Sequence, residues 1–236
     1  MIPLLKSECD LSESCILGFF QNFGIVISST CISNQWTRGD LNFDQEKSDS
    51  VGAGLASTAY QHTDDTSARV NGENHYTHIL CNPFYSAYFT TPRKDRLTVL
   101  DVFTNHAPRH FLYNTQAIRL IEGFQLSEKI RMAVDQCLAK DTVMDERAFD
   151  ALLNTIEPGP TQRIRIKEAC AMAAYREQTT IPVIETLMCD DAPQFKLLTK
   201  QLVLCWIHDG RHYKMSISVE NFPPVSVQKF PPSLVD

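Results

Sequence analysis

Two pairs of adjacent aspartates, Asp64-Asp65 and Asp190-Asp191, are the residues of this chain best suited to holding a metal ion. Each pair follows a short apolar run that is typical of a buried strand. Consecutive strand residues point to opposite faces, so only one aspartate of each pair can face a given site. Carboxylate oxygens suit Mg²⁺ and Mn²⁺, and two such ions about 4 Å apart can promote phosphodiester chemistry. If the two strand ends lie side by side, we expect a divalent-metal site; the alternative for each pair is a simple turn cap.

Residues 205–214 form a second segment that is dense in functional side chains. Four basic residues, His208, Arg211, His212 and Lys214, could contact phosphate groups at the mouth of a carboxylate site. A strand end followed by a solvated charged turn is the plainer interpretation. A zinc site is a further alternative, and its four ligands would be Cys189, Cys205, His208 and His212.

Composition favours a globular protein of the cytoplasm. The 236 residues are 43% hydrophobic and 21% charged, which is enough for one large domain with a sizeable core. Eight cysteines without a regular framework indicate free thiols in a reducing compartment. No run approaches the roughly 20 apolar residues that a membrane span needs, so no membrane partner is expected. The net charge of −6 is not the basic balance typical of nucleic-acid binding.

Residues 1–54 are predicted to form an N-terminal helical region and linker. Apolar residues at helical spacing stop at Gly24, and Ser28 or Ser29 could cap a second helix. This pair fits a helical hairpin that packs on the main domain, or a helix-turn-helix that reads DNA. Residues 38–54 are polar and rich in glycine at their end, which predicts a loop or linker.

Three antiparallel strands are expected over residues 55–90, and the first of them carries Asp64. Asn71-Gly72 is a strong hairpin signal, because a type I′ turn needs positive φ at both positions. A second turn is expected at Asn82, before a segment rich in aromatic and β-branched residues.

The rest of the chain is predicted to be mainly helical, with two later strands. In order, we expect a helix after Pro92, a helical insertion at about 115–178, a strand at 183–189, a short helix at 197–199 and a strand at 202–207. The predicted core therefore covers residues 55–215, and the proline-broken residues 216–236 form an irregular tail.

Three segments together resemble the catalytic blocks of bacterial insertion-sequence transposases of the DDE type. Residues 62–66, His-Thr-Asp-Asp-Thr, run into a hairpin and are similar to the first block. Residues 187–191 are similar to the second block, in which the catalytic aspartate ends a strand. Residues 205–211 match the Cys-Trp-x-His-x-x-Arg signature that follows it, and the blocks occur in the family's order.

This resemblance implies an α/β fold with a ribonuclease-H-like mixed sheet, in which three antiparallel strands are followed by two later parallel strands. It implies that Asp64 and Asp190 bind two Mg²⁺ or Mn²⁺ ions, with His208 and Arg211 as supporting or phosphate-contacting residues. The implied activity is metal-dependent cleavage and transfer of DNA strands at the ends of an insertion sequence. A homo-oligomer is compatible with this expectation.

The resemblance also calls for a third carboxylate, a glutamate on a later helix. Glu220 is the only later glutamate, and its surroundings are broken by proline. We therefore expect a truncated or remnant transposase, because the loss of one ligand would leave the second ion weakly held. The alternative is a non-catalytic DNA-binding or regulatory fragment of a transposase.

Overall fold

The computed structural model describes residues 1–37, 41–206 and 210, and five of the strands in this part form one sheet. The helices are α1 (Ile2–Ser7), α2 (Glu13–Asn22), α3 (Ser29–Thr37), α4 (Leu41–Ser57), α5 (Arg96–Phe103), α6 (Thr115–Gly123), α7 (Glu128–Cys137), α8 (Glu146–Ile156), α9 (Pro160–Glu177) and a short 3-10 helix (Pro193–Phe195). The strands are β1 (Tyr60–Val70), β2 (Glu73–Asn82), β3 (Tyr85–Thr91), β4 (His110–Leu112), β5 (Val143–Asp145), β6 (Thr186–Cys189) and β7 (Gln201–Leu204).

The main sheet is mixed, with the strand order β3-β2-β1-β6-β7. The first three strands pair antiparallel, as expected, while β6 runs parallel to β1 and β7 runs parallel to β6. The chain must therefore cross from one side of β1 to the other, and helices α5 to α9 lie in this crossover. An α/β protein with a mixed sheet is confirmed.

The hairpin between β1 and β2 forms where the sequence predicts it. Val70 pairs with Glu73, which leaves Asn71 and Gly72 as a two-residue loop. Their φ angles are +52° and +84°, as a type I′ turn requires. The turn fixes the register of the long strand that carries Asp64.

One face of the sheet packs against helices and the opposite face is more open. Leu187 and Cys189 are buried in the main hydrophobic core, together with residues of α5 and α9. Alternate residues of the same strands, such as Asp64 and Met188, lie on the open face and are at least partly exposed. Their accessibility follows from the period of two along each strand.

The first three helices form a small hydrophobic cluster of their own. Its buried residues are Leu5, Ile16, Phe20 and Ile32, and they are separate from the main core. Gly24 ends the first predicted helix with φ of +72°, and Ser28 caps α3 by accepting a hydrogen bond from the Cys31 backbone N–H at 3.1 Å. The predicted helix pair is confirmed.

The predicted loop at residues 38–54 is wrong, because helix α4 occupies most of it and extends to Ser57. Strand β1 accordingly begins at Tyr60 and not at Leu55. Among residues 43–57, whose side chains the structure describes, Val51, Gly54 and Leu55 are the buried ones, at helical spacing. Such a narrow apolar side among polar residues gave little periodic signal, and the glycines lowered the helical propensity further.

Gly54 lies where helix α4 meets strand β3. A Cβ atom at this position would overlap the Tyr85 ring, whereas a Cβ at Gly52 would meet open space. The Gly54 carbonyl also accepts a hydrogen bond from the Asn82 side-chain amide at 2.9 Å. The close approach of helix and strand therefore requires glycine.

Gly54→Ala is expected to destabilise the fold by about 1–3 kcal/mol, because overpacking displaces either the ring or the helix. Gly52→Ala is the matched control in the same helix. It should stabilise the fold by roughly 0.5–1 kcal/mol, since alanine favours an exposed helical position. Urea unfolding of both variants checks this pair of predictions, and equal effects would contradict the packing described here.

The insertion at 115–178 is mainly helical, as predicted, but its strand β5 pairs with β4, which precedes the insertion, to form a small second sheet. Strands β4 and β5 pair antiparallel, with His110 opposite Asp145 and Leu112 opposite Val143. Three-residue strands are too short to show a period, so no sequence pattern predicts them.

The later strands are shorter than predicted. Strand β6 covers only Thr186–Cys189 of the predicted 183–189, and β7 ends at Leu204. A helix at 197–199 is wrong: the short 3-10 helix lies earlier, at Pro193–Phe195, and Leu197 has a left-handed φ of +69°. Within the described ranges, no helix combines the length and apolar character needed to cross a membrane.

Candidate functional site

The register of two neighbouring strands brings Asp64 and Asp190 together. Strands β1 and β6 are parallel, with Tyr60 opposite Thr186 and His62 opposite Met188. Strand β6 ends at Cys189, and the same offset continued one residue past this end would set Asp64 beside Asp190. Neighbouring strands lie about 4.8 Å apart, so the two carboxylates are within reach of a shared ion.

Both aspartates belong to the open face of the sheet. Asp64 is exposed and Asp190 is partly buried. The residues that precede them, Thr63 and Cys189, are buried in the core. The charges of Asp190, Asp191 and Asp64 act on the Cys189 thiol, whose pKa is raised to about 12 by burial first and then by these carboxylates. Only the second aspartate pair follows a strand end, after β6; Asp64 lies in the middle of β1, so the expectation that its strand ends there is wrong. The three carboxylates together form a region of concentrated negative charge, which favours a cation.

The neighbouring aspartates are already occupied by protein cations. Asp65 accepts hydrogen bonds from Lys94 Nζ at 2.9 Å and from Gln194 Nε2 at 2.8 Å. Asp191 forms a salt bridge with Lys196 at 2.9 Å. These two carboxylates therefore have less capacity left for a metal ion.

Within the described ranges, Asp64 and Asp190 make only local hydrogen bonds. Asp64 Oδ1 accepts from the Asp65 backbone N–H at 2.8 Å, and Asp190 Oδ1 accepts from the Ala192 backbone N–H at 3.0 Å. In the described part of the chain, neither carboxylate forms a salt bridge. The structure thus separates the two aspartates that could hold an ion from the two that support the site.

Lys94 lies at this site and was not expected there. Its hydrogen bond with Asp65 is the main cause that raises the pKa of the Lys94 ammonium, and the charge of Asp190 adds to it. The lysine therefore lies near the middle of β1 and near the end of β6. A contact between residues so far apart in the chain leaves no local signal in the sequence.

Arg96 connects the segment after Asp190 to the helices beneath it. Its guanidinium forms a 2.5 Å ion pair with Glu168 of α9 and donates to the Pro193 carbonyl at 2.8 Å and the Lys196 carbonyl at 3.1 Å. Burial raises the pKa of the Glu168 carboxyl, and the charge of Arg96 only partly opposes this effect. Arg96 thus fixes the position of the loop that supplies Gln194, and sequence analysis also missed this role.

His78 pairs with Asp65 across strands β1 and β2 and is almost fully buried. Its Nε2 lies 3.0 Å from Thr91 Oγ1, and its Nδ1 is buried without a partner in the described residues. Burial lowers the pKa of His78 below its ordinary value. The neutral ring is therefore the form that the fold stabilises.

Stability is expected to fall as the pH drops below about 6.5, the pKa of histidine in an unfolded chain. Below that pH the unfolded state takes up a proton that the folded state accepts only at lower pH. The loss should be at most about 1.4 kcal/mol for each pH unit. Urea unfolding at two pH values checks this: His78→Gln should reduce the dependence, and an unchanged dependence would contradict it.

Several of the expected site residues fall outside the described part of the chain. These are His208, His212, Arg211 and Glu220. Within the described residues, no group of three or more His, Cys, Asp or Glu side chains could hold a metal ion. The third carboxylate implied by the resemblance therefore has no counterpart there, and neither does a complete zinc site.

No protein-family model, curated protein or solved structure matches the chain.

Proposed function

We propose that this chain is a DDE-type DNA transposase, or a remnant of one, built on a ribonuclease-H-like core. The strand order β3-β2-β1-β6-β7 supports the proposal, since three antiparallel strands and two later parallel strands are the arrangement that the resemblance implies. The observation that carries the proposal is the parallel register of β1 and β6, which aligns Asp64 with Asp190 on the open face.

In this proposal Asp64 and Asp190 hold Mg²⁺ or Mn²⁺ between two neighbouring strands. When bound, such ions activate the attacking oxygen and stabilise the leaving oxygen at a DNA phosphate. Lys94 adds a positive charge beside the ion site, where it can meet a non-bridging phosphate oxygen. His208 and Arg211, which lie outside the described residues, are still predicted to contact phosphate.

The test is nicking of duplex DNA taken from the two flanks of the coding sequence. We expect nicking with Mg²⁺ or Mn²⁺, none in the presence of a chelator, and none with the Asp64→Ala variant. Unrelated duplex DNA serves as the substrate control. Nicking that survives Asp64→Ala would contradict the proposed site.

Binding of DNA without cleavage is the second candidate function. Two observations favour it: the described residues supply only two of the three expected carboxylates, and helices α1–α3 form a separate cluster that could bind DNA. The same assay distinguishes the candidates, because a regulatory fragment would bind the flanking DNA and leave it uncut under all metal conditions.

A further inference from the structure

A cleft of about 490 Å³ lies at the opposite end of β6 from Asp190. It is bordered by helices α6 and α9 and by the residues that precede β6 and β7. We call it the arginine cleft, and its polar lining residues are Gln116, Arg119, Arg176, Glu185, Thr199 and Lys200. Three cations and one carboxylate line it, in a chain whose net charge is −6.

The single carboxylate of the arginine cleft does not balance its guanidinium groups. Glu185 is engaged by Lys200 at 2.7 Å. Neither Arg119 nor Arg176 forms a salt bridge within the described ranges. Arginine without a carboxylate partner is the side chain best suited to bind a planar or tetrahedral oxyanion, because it offers several donors in a fixed geometry.

The hydrogen-bond donors of Arg176 are only partly satisfied by the described residues. Its Nη2 donates to the Leu197 carbonyl, whereas its Nε is buried without a partner in the described residues. Burial lowers the pKa of this guanidinium, as expected for a cation held away from water without a compensating anion. The amide oxygen of Gln116, on the facing helix, is also buried and has no partner among the residues that the structure describes.

We propose that the arginine cleft binds a phosphate group through Arg119 and Arg176. The phosphate could belong to a nucleic-acid backbone or to a small phosphorylated molecule, and the binding chemistry is shared. Its assignment to DNA rests on the proposed function, whereas the phosphate site does not.

The distance between the two sites suits a DNA backbone. Glu185 and Asp190 flank the four residues of β6, so the sites lie roughly 16 Å apart at about 3.3 Å per strand residue. This is about five steps along one DNA strand at 3.4 Å each.

The test compares two exposed helical arginines of the full chain, Arg119→Gln in the cleft and Arg147→Gln on α8 as the matched control. The affinity for a labelled short duplex is measured between about 50 and 200 mM salt with a chelator present. We expect Arg119→Gln to reduce the slope of log K against log salt by about 1, as for one lost phosphate contact. Arg147→Gln should leave the slope unchanged.

A second measurement distinguishes the phosphate sources. Inorganic phosphate is titrated with each protein, and its phosphorus NMR line width reports binding. If Arg119→Gln removes the broadening but leaves the DNA slope intact, the cleft binds a small phosphorylated molecule. If the two variants have the same salt slope for DNA and the same phosphorus line width, the arginine cleft does not bind phosphate.

The outcome is independent of cleavage. Suppose that Arg119→Gln changes the salt slope while the wild-type chain does not nick DNA. The phosphate site in the arginine cleft would then be supported, and the proposed catalytic function would be contradicted. Nicking without any difference between the two arginine variants would do the reverse.

Discussion

Asp190→Asn is expected to reduce metal-dependent nicking by about a thousandfold or more, which corresponds to roughly 4 kcal/mol of transition-state stabilisation. The amide preserves the shape of the side chain but removes its charge and one metal-binding oxygen. Asp64→Asn should have the same effect, because the proposed ion site takes one carboxylate from β1 and one from the residue after β6.

Asp191→Asn is the matched control for this prediction. Asp191 is adjacent in sequence, yet it points elsewhere and pairs with Lys196. Its substitution should change nicking by less than about tenfold, since exposed ion pairs contribute little. Equal losses for Asp190→Asn and Asp191→Asn would show that bulk negative charge, and not a specific ligand, supports the activity.

Arg96→Met is expected to destabilise the folded protein by about 3–5 kcal/mol. The substitution leaves Glu168, which is 8% exposed, as a buried charge without its partner. Urea unfolding at neutral pH measures the loss. The deficit should shrink as the pH falls toward about 4.3, because protonation removes the unpaired charge and the pKa of Glu168 is raised in the fold.

The double variant Arg96→Met/Glu168→Met distinguishes an unpaired charge from lost packing. Replacing both partners by apolar side chains of similar volume should recover most of the stability. It should not restore nicking fully, because the Pro193 and Lys196 carbonyls would still lack their donor. A double variant as unstable as Arg96→Met alone would contradict the role given to the ion pair.

Elements with a strong local signal could be predicted from the sequence. The Asn71-Gly72 turn, the alternation that follows it and the apolar run before Asp190 each determine structure over a few residues. From these the antiparallel strands and the later strands could be placed, and the resemblance supplied their expected order. The separation of Asp64 from Asp65 by face also followed from the period of a strand.

Features that depend on distant contacts could not be predicted. Helix α4 is held by two apolar residues and by the fit of Gly54 against Tyr85, which no local pattern reveals. Lys94 and Gln194 approach Asp65 only after the sheet has formed, so their sequence context resembles ordinary surface segments. The arginine cleft combines α6 and α9 of the insertion with the residues that precede β6 and β7. Charged residues on separate helices show no common pattern in the sequence.

In the proposed function, Asp64 and Asp190 share a divalent ion. Electron paramagnetic resonance of Mn²⁺, with duplex DNA from the flanks present, measures this binding without requiring turnover. We predict that the wild-type chain removes Mn²⁺ from the free-ion signal and that Asp64→Asn or Asp190→Asn each abolishes most of this binding, while Asp191→Asn retains it. Binding that persists in the Asp64→Asn/Asp190→Asn double variant, or a wild-type chain that binds no Mn²⁺, would contradict an ion site shared by Asp64 and Asp190.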